Sequence, residues 1–172
     1  FRRVLFRSDT LNIVRPMIDA GFARAVMGNH EFNAIAWATP DPEHPGQHLR
    51  PRHGEKGAKN LRQHEAFLEE VGIDTETHKA WIDWFLELPL WIDEPGFRVV
   101  HACWSAKQVQ LLMPSLRDGA KLKRDLIPQY ARKGNDLYDA IEIILKGVEI
   151  DLPRGVSFKD KEGIPRHSMR TR

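Results

Sequence analysis

Three features of the sequence predict an α/β fold. Short apolar runs that read as buried strands alternate with segments whose apolar residues recur at helical spacing. Two amphipathic segments within residues 60–87 interrupt that alternation as a helical insertion. The stretch "LPLWIDEPGFRVVHACW" has the strand–turn–strand pattern of a hairpin. At 172 residues, 41% of them hydrophobic, the chain is long enough to bury one core.

Residues 1–8, "FRRVLFRS", read as a basic junction, and residues 9–172 as a single partial domain. A first helix is expected over 9–20, from the spacing of Leu11, Val14, Met17 and Ile18, with Pro16 kinking it or shifting its start. Gly21 ends it, and "ARAVM" (23–27) reads as a short buried strand. A second helix starts near Asn29 or His30 and runs to about Ala38. Residues 39–60 hold four prolines and three glycines and read as a long polar loop, a length that in compact domains accompanies function or mobility. Helices follow at 60–71 and 75–87, then a hairpin of strands 88–93 and 97–102 about a Glu-Pro-Gly turn. The last third predicts helices at 106–112 and 135–146, irregular charged segments between them, and a final hairpin around "KDKEG" (159–163). The chain opens on Phe1 and ends in "RHSMRTR" without a recognisable cap, the ends expected of a fragment or processed product.

Charge and cysteine content narrow the partners. Lys and Arg total 26 against 24 Asp and Glu, a formal net charge of +2, too small an excess to argue by itself for nucleic acid. The single Cys103 excludes an internal disulfide framework and points to a reducing, cytoplasmic setting. No apolar run approaches the roughly 20 residues of a membrane span, and the N-terminal segment lacks the apolar region of a secretory leader.

The chemistry concentrates in "AVMGNHEFNAIAW". Gly28 stands where a strand turns sharply into a helix and is expected to take backbone angles that favour glycine. Asn29 is either an N-cap or a donor whose amide oxygen ligates a divalent cation. His30 faces the same site as a proton donor, and Glu31 suits the first helical turn and braces its neighbours. About seventy residues on, "FRVVHACW" ends an apolar strand with His101, either a core histidine bonded to a carbonyl or a second ligand.

"GNHE" after an apolar strand, with a later "VVHA" strand end, resembles the calcineurin-like metallophosphoesterase superfamily over residues 9–105. Within it the pattern is similar to the branch of phosphoprotein phosphatases and bacterial dinucleoside tetraphosphatases. The resemblance implies a partial sandwich, with a mixed β-sheet core and flanking helices. It implies hydrolysis of phosphate esters or anhydrides by a hydroxide activated between two divalent metal ions (Mn, Fe, Zn or Ni) about 3.5–4 Å apart. Asn29 and His101 map to ligands of one metal, His30 to the acid that assists the leaving group, with Gly28 and Glu31 in support. The implied substrate is a phosphorylated small molecule, a nucleotide or a phosphoprotein. The family's upstream D-x-H and GD-x-x-DRG motifs and its downstream G-H-x-H are absent, and His167 in "IPRHSMR" matches none of them. Two dications bring four positive charges that Asn29, His101 and Glu31 alone do not balance, so the chain is expected to hold about half of a site and to be inactive or nearly so by itself. The competing expectation is a non-catalytic relic, or a module that binds nucleic-acid ends beside an RNA-repair kinase.

Other motifs carry less. His30-Glu31 and His64-Glu65 are followed by Ala34 and Leu68 where a zinc protease needs its second histidine. His44, His48 and His53 lie among prolines and glycines that deny them one helical face. Arg50, Arg52 and Lys56, with Lys59 and Arg62, are either a solvated surface or a basic lid steering an anionic substrate. Trp81, Trp84, Phe85 and Trp91 are expected in the core, while Trp37 and Trp104 are candidates for base stacking.

Overall fold

The computed structural model describes residues 8–160 and 163–171, and among them the fold is mixed α/β. It is organised around one apolar helix. α2 (Asn29–Ala38) buries Phe32, Asn33, Ala34, Ile35, Ala36 and Trp37 in succession. A helix apolar all round must be covered all round. α3 (Gly54–Val71), α4 (Glu76–Leu86) and α6 (Ile127–Ala131) pack on it. α7 (Asp136–Lys146) turns Ala140, Ile141, Ile144 and Leu145 inward and packs against α6 and α5 (Ala106–Leu112). Phe67, Trp81, Trp84, Phe85 and Trp91 join this core, as their spacing predicts.

Local chemistry sets several helix limits. Thr75 caps α4, its hydroxyl oxygen accepting the His78 N–H, and the Asn135 side chain does the same for Tyr138 at the start of α7. α1 (Ser8–Asp19) carries Pro16 inside it without ending there. It is tied to α4 by the Trp84 indole N–H, which donates to Asp19 at 3.3 Å, and by the Arg15 guanidinium over Trp81 at 5.1 Å. α3 starts at Gly54 rather than at residue 60, so the polar loop is shorter than expected. Gly57 makes that early start possible, because a Cβ there would lie 2.4 Å from the Arg52 carbonyl carbon. The helix is kinked at His64, whose φ of −134° is not helical.

The β-structure departs from the expected mixed sheet. Among the described residues it consists of four two-stranded antiparallel ladders. β1 (Trp91–Glu94) pairs with β2 (Phe97–Val100) across a Pro95-Gly96 turn, with Gly96 at φ +93°. These strands are shorter than the sequence suggests because flanking amides are engaged elsewhere. Leu90 N–H goes to the Ala120 carbonyl, and Ala102 and Cys103 N–H go to Ile144. β3 (Leu116–Arg117) and β4 (Lys121–Leu122) pair within the stretch expected to be irregular. β5 (Val148–Asp151) pairs with β8 (Ser168–Thr171), enclosing the expected final hairpin, β6 (Phe158–Lys159) with β7 (Pro165–Arg166). Residues 161–162 of its turn, and residues 1–7 of the N-terminal junction, lie outside the described residues. The strand expected at 23–27 is not formed. Met27 N–H donates to the Pro89 carbonyl at 2.7 Å, but no neighbouring strand continues a ladder there among the described residues. No helix among the described residues is long and apolar enough to cross a membrane.

Candidate functional site

The first turn of α2 forms one side of the site. Gly28 is its N-cap, with φ −102° and ψ 173°, a conformation any residue adopts, so the expected need for unusual backbone angles does not hold. Space is what requires glycine. A Cβ at this position would lie 2.6 Å from Glu31 Oε2 and 3.0 Å from His101 Cε1. Glu31 Oε2 accepts the Gly28 N–H at 2.9 Å, the carboxylate half of a capping box. Burial pushes the Glu31 pKa up, opposed by hydrogen bonds from its own backbone N–H and that of Gly28. Glu31 therefore does the capping that was one of the two roles open to Asn29, and the Asn29 amide, at the first helical position, is used elsewhere.

It is used by His101. This residue follows β2, and the next two amides fasten the chain to the Ile144 carbonyl near the end of α7, at 3.2 and 3.4 Å. That anchorage brings the His101 imidazole over Gly28 and sets its Nε2 3.0 Å from Asn29 Oδ1. In the tautomer carrying hydrogen at Nε2, the imidazole donates to the amide oxygen. Two residues 72 positions apart thus converge at a helix start, with Asn29 half-buried and His101 exposed. His30 lies beside them, half-buried, with its Nδ1 fully covered. His64, from the kink of α3, sits close to His30. Burial first, and that proximity second, hold the His64 pKa down to about 4.

Comparison of the chain with protein-family models, with curated proteins and with solved structures finds no match. The site must therefore be read from its own donors. An amide oxygen and an imidazole nitrogen 3.0 Å apart suit adjacent positions on one cation, since donors at about 2.1 Å from a six-coordinate ion stand about 3 Å apart. Beyond these two donors the fit fails here, for a first cation as for a second. No group of three or more His, Cys, Asp or Glu able to hold a metal ion occurs among the described residues, and Glu31 is engaged with Gly28.

The remaining expected site residues separate. Arg52 is not a steering cation. Its side chain is only 10% exposed, forks onto Asp74, donates through Nε to the Trp37 carbonyl and lies 4.0 Å over the Trp37 ring. Lys56 is exposed on the first turn of α3. Arg50 is half-buried beside Arg132 and Tyr138, two residues that nothing in the sequence pattern singled out. Trp37 is 2% exposed and offers no stacking surface, while Trp104 is half-buried beneath Arg98. His44 pairs with Asp41, and neither His48 nor His53 joins it in a metal-holding group.

The packing at Gly28 gives a direct expectation. Gly28→Ala pushes the Glu31 carboxylate and the His101 ring aside, and lowers stability by about 1–2 kcal/mol. Urea unfolding measures the loss. In a proton spectrum, the His101 ring signals move while those of His78, buried on α4, stay in place.

Proposed function

We propose that the start of α2 and His101 form the cation-binding corner of a metallophosphoesterase. The observation that carries the reading is the 3.0 Å approach of Asn29 Oδ1 to His101 Nε2. A divalent cation at this corner would polarise a phosphoryl oxygen. Asn29 and His101 hold it as neutral donors, His101 after giving up its Nε2 hydrogen. Glu31 keeps the turn open by holding the Gly28 N–H rather than ligating. In this reading His30, next in sequence to Asn29, would be the acid for the departing ester oxygen. With two neutral donors and no acidic cluster beside them among the described residues, the reading expects weak cation binding and little or no turnover by these residues alone.

Manganese titration followed by proton relaxation tests it. The Asn29 side-chain amide and the His101 ring signals are expected to broaden before all others. His101→Ala and Asn29→Ala should each weaken the effect about tenfold or more. If those two side chains stay sharp while manganese broadens other residues, the reading fails. Release of phosphate from p-nitrophenyl phosphate at an enzymatic rate would overturn the expectation of little turnover.

A further inference from the structure

We propose that the cavity between the 41–50 loop and the start of α7 binds a phosphoryl dianion, held by Arg50 with Lys133 and Tyr138. The cavity measures about 300 Å³, and Asp41, Arg50, Arg132, Lys133 and Tyr138 supply its polar lining. Arg50 carries the argument. Its Nε is buried without a hydrogen-bond partner, and no carboxylate pairs with its guanidinium among the described residues. A guanidinium does not shed its proton, so a covered, unpaired donor on it is unfavourable until an anion arrives.

Its neighbours supply no such anion. Asp41 Oδ1 accepts from Arg132 at 2.6 Å and its Oδ2 meets His44 at 2.9 Å, Glu43 also pairs with Arg132, and Glu142 pairs with Lys146. Arg132 is already met by both Asp41 and Glu43, which leaves Arg50 and Lys133 as the lining cations with no carboxylate partner among the described residues. A dianion can meet both of these cations, and the single charge of a carboxylate only one. The guanidinium fork and a phenol hydroxyl suit tetrahedral phosphoryl oxygens. The backbone that carries each arm is held: the Arg50 main-chain N–H donates to the Ala36 carbonyl at 3.3 Å, and the Tyr138 main-chain N–H to the Asn135 side chain at 3.0 Å. Neither Asn29 nor His101 lines the cavity, so the inference stands apart from the phosphoesterase reading.

The test is thermal unfolding of the 172-residue chain in metal-free buffer, with potassium orthophosphate against potassium chloride at equal ionic strength. Orthophosphate is expected to raise Tm by about 2 °C or more. Arg50→Met should lose that shift while unfolding cooperatively at no lower temperature than the parent in chloride. Arg50→Lys, which keeps the charge without the fork, should need about tenfold more phosphate for the same shift. Phenyl phosphate acting at lower concentration than orthophosphate assigns the site to the end of a larger ester, and the reverse order assigns it to the free ion. His101→Ala keeps the shift whether or not the phosphoesterase reading survives. Equal responses to phosphate and chloride, or a full phosphate shift in Arg50→Met, overturn the proposal.

Discussion

Unfolding free energy should fall by about 3 kcal/mol between pH 7 and pH 4 through His64 alone, given a folded-state pKa of about 4 against an ordinary 6.5. The sign follows from which state takes the proton. Above 6.5 both folded and unfolded His64 are neutral, and the residue makes no pH-dependent difference. Below 6.5 the unfolded chain binds a proton that the folded chain refuses, because His64 is 2% exposed and faces the edge of Trp37 at 5.6 Å. Stability is therefore lost as pH falls from 6.5, and the loss levels off near 4. His78 works in the same direction: burial depresses its pKa, and its Nδ1 accepts the Asp74 N–H, a bond that protonation would destroy. Asp41 and Asp74, held below the ordinary range chiefly by hydrogen bonds from His44 and Arg52, contribute their own losses only at lower pH. Glu31, raised by burial, opposes the trend as pH falls toward 4.5. Comparison of the wild type with His64→Phe by urea unfolding at several pH values cancels these other groups. The difference between the two should change by about 3 kcal/mol from pH 7 to pH 4. A difference that stays constant with pH would show that His64 titrates normally in the folded chain.

His64 also marks where the sequence stops being informative. Its position in the row Leu61, His64, Phe67, Leu68, Val71 identifies it as inward-facing, and it is buried there. The kink it occupies depends on contacts with α2 and α4 that the row does not encode. Helices α4, α5 and α7 were legible because apolar spacing coincides with caps or clear ends, such as Thr75, Asn135 and Gly147. The start of α3 was not, because Gly54 and Gly57 look like loop residues until the nearby Arg52 backbone is seen to exclude a side chain. "ARAVM" was readable as an apolar run, but a strand is defined by its neighbour, and here the N–H of Met27 meets a lone carbonyl at Pro89. At the candidate site the motif identified the two side chains that meet, Asn29 and His101, but misread why residue 28 is glycine and left open whether Asn29 caps the helix. Gly28 serves by lacking a Cβ rather than by its backbone angles, and capping belongs to Glu31.

Arg52→Ala should cost about 2–3 kcal/mol and lower Tm by about 5–10 °C, more than removal of any other cation in the 50–62 segment. In sequence Arg52 cannot be told from Arg50 or Lys56. In the fold it joins the loop to the helices. Its two terminal nitrogens donate to Asp74 at 2.6 and 2.9 Å, its Nε to the Trp37 carbonyl at 3.0 Å, and its plane covers the Trp37 ring at 4.0 Å. Asp74 is 56% exposed, so water compensates much of the ion pair itself. The larger part of the effect comes from the Trp37 carbonyl, which loses its donor at the end of the buried Phe32–Trp37 stretch of α2, and from the uncovered indole face. This division fixes the pattern across variants. Asp74→Ala should cost less than half as much as Arg52→Ala. Arg52→Lys should recover only a minor share, because an ammonium keeps the charge but neither forks onto a carboxylate nor lies flat on an indole. Adding Asp74→Ala to Arg52→Ala should cost little more than Arg52→Ala alone. Equal losses for Asp74→Ala and Arg52→Ala would mean that the ion pair, rather than the contact with Trp37, holds the loop to α2.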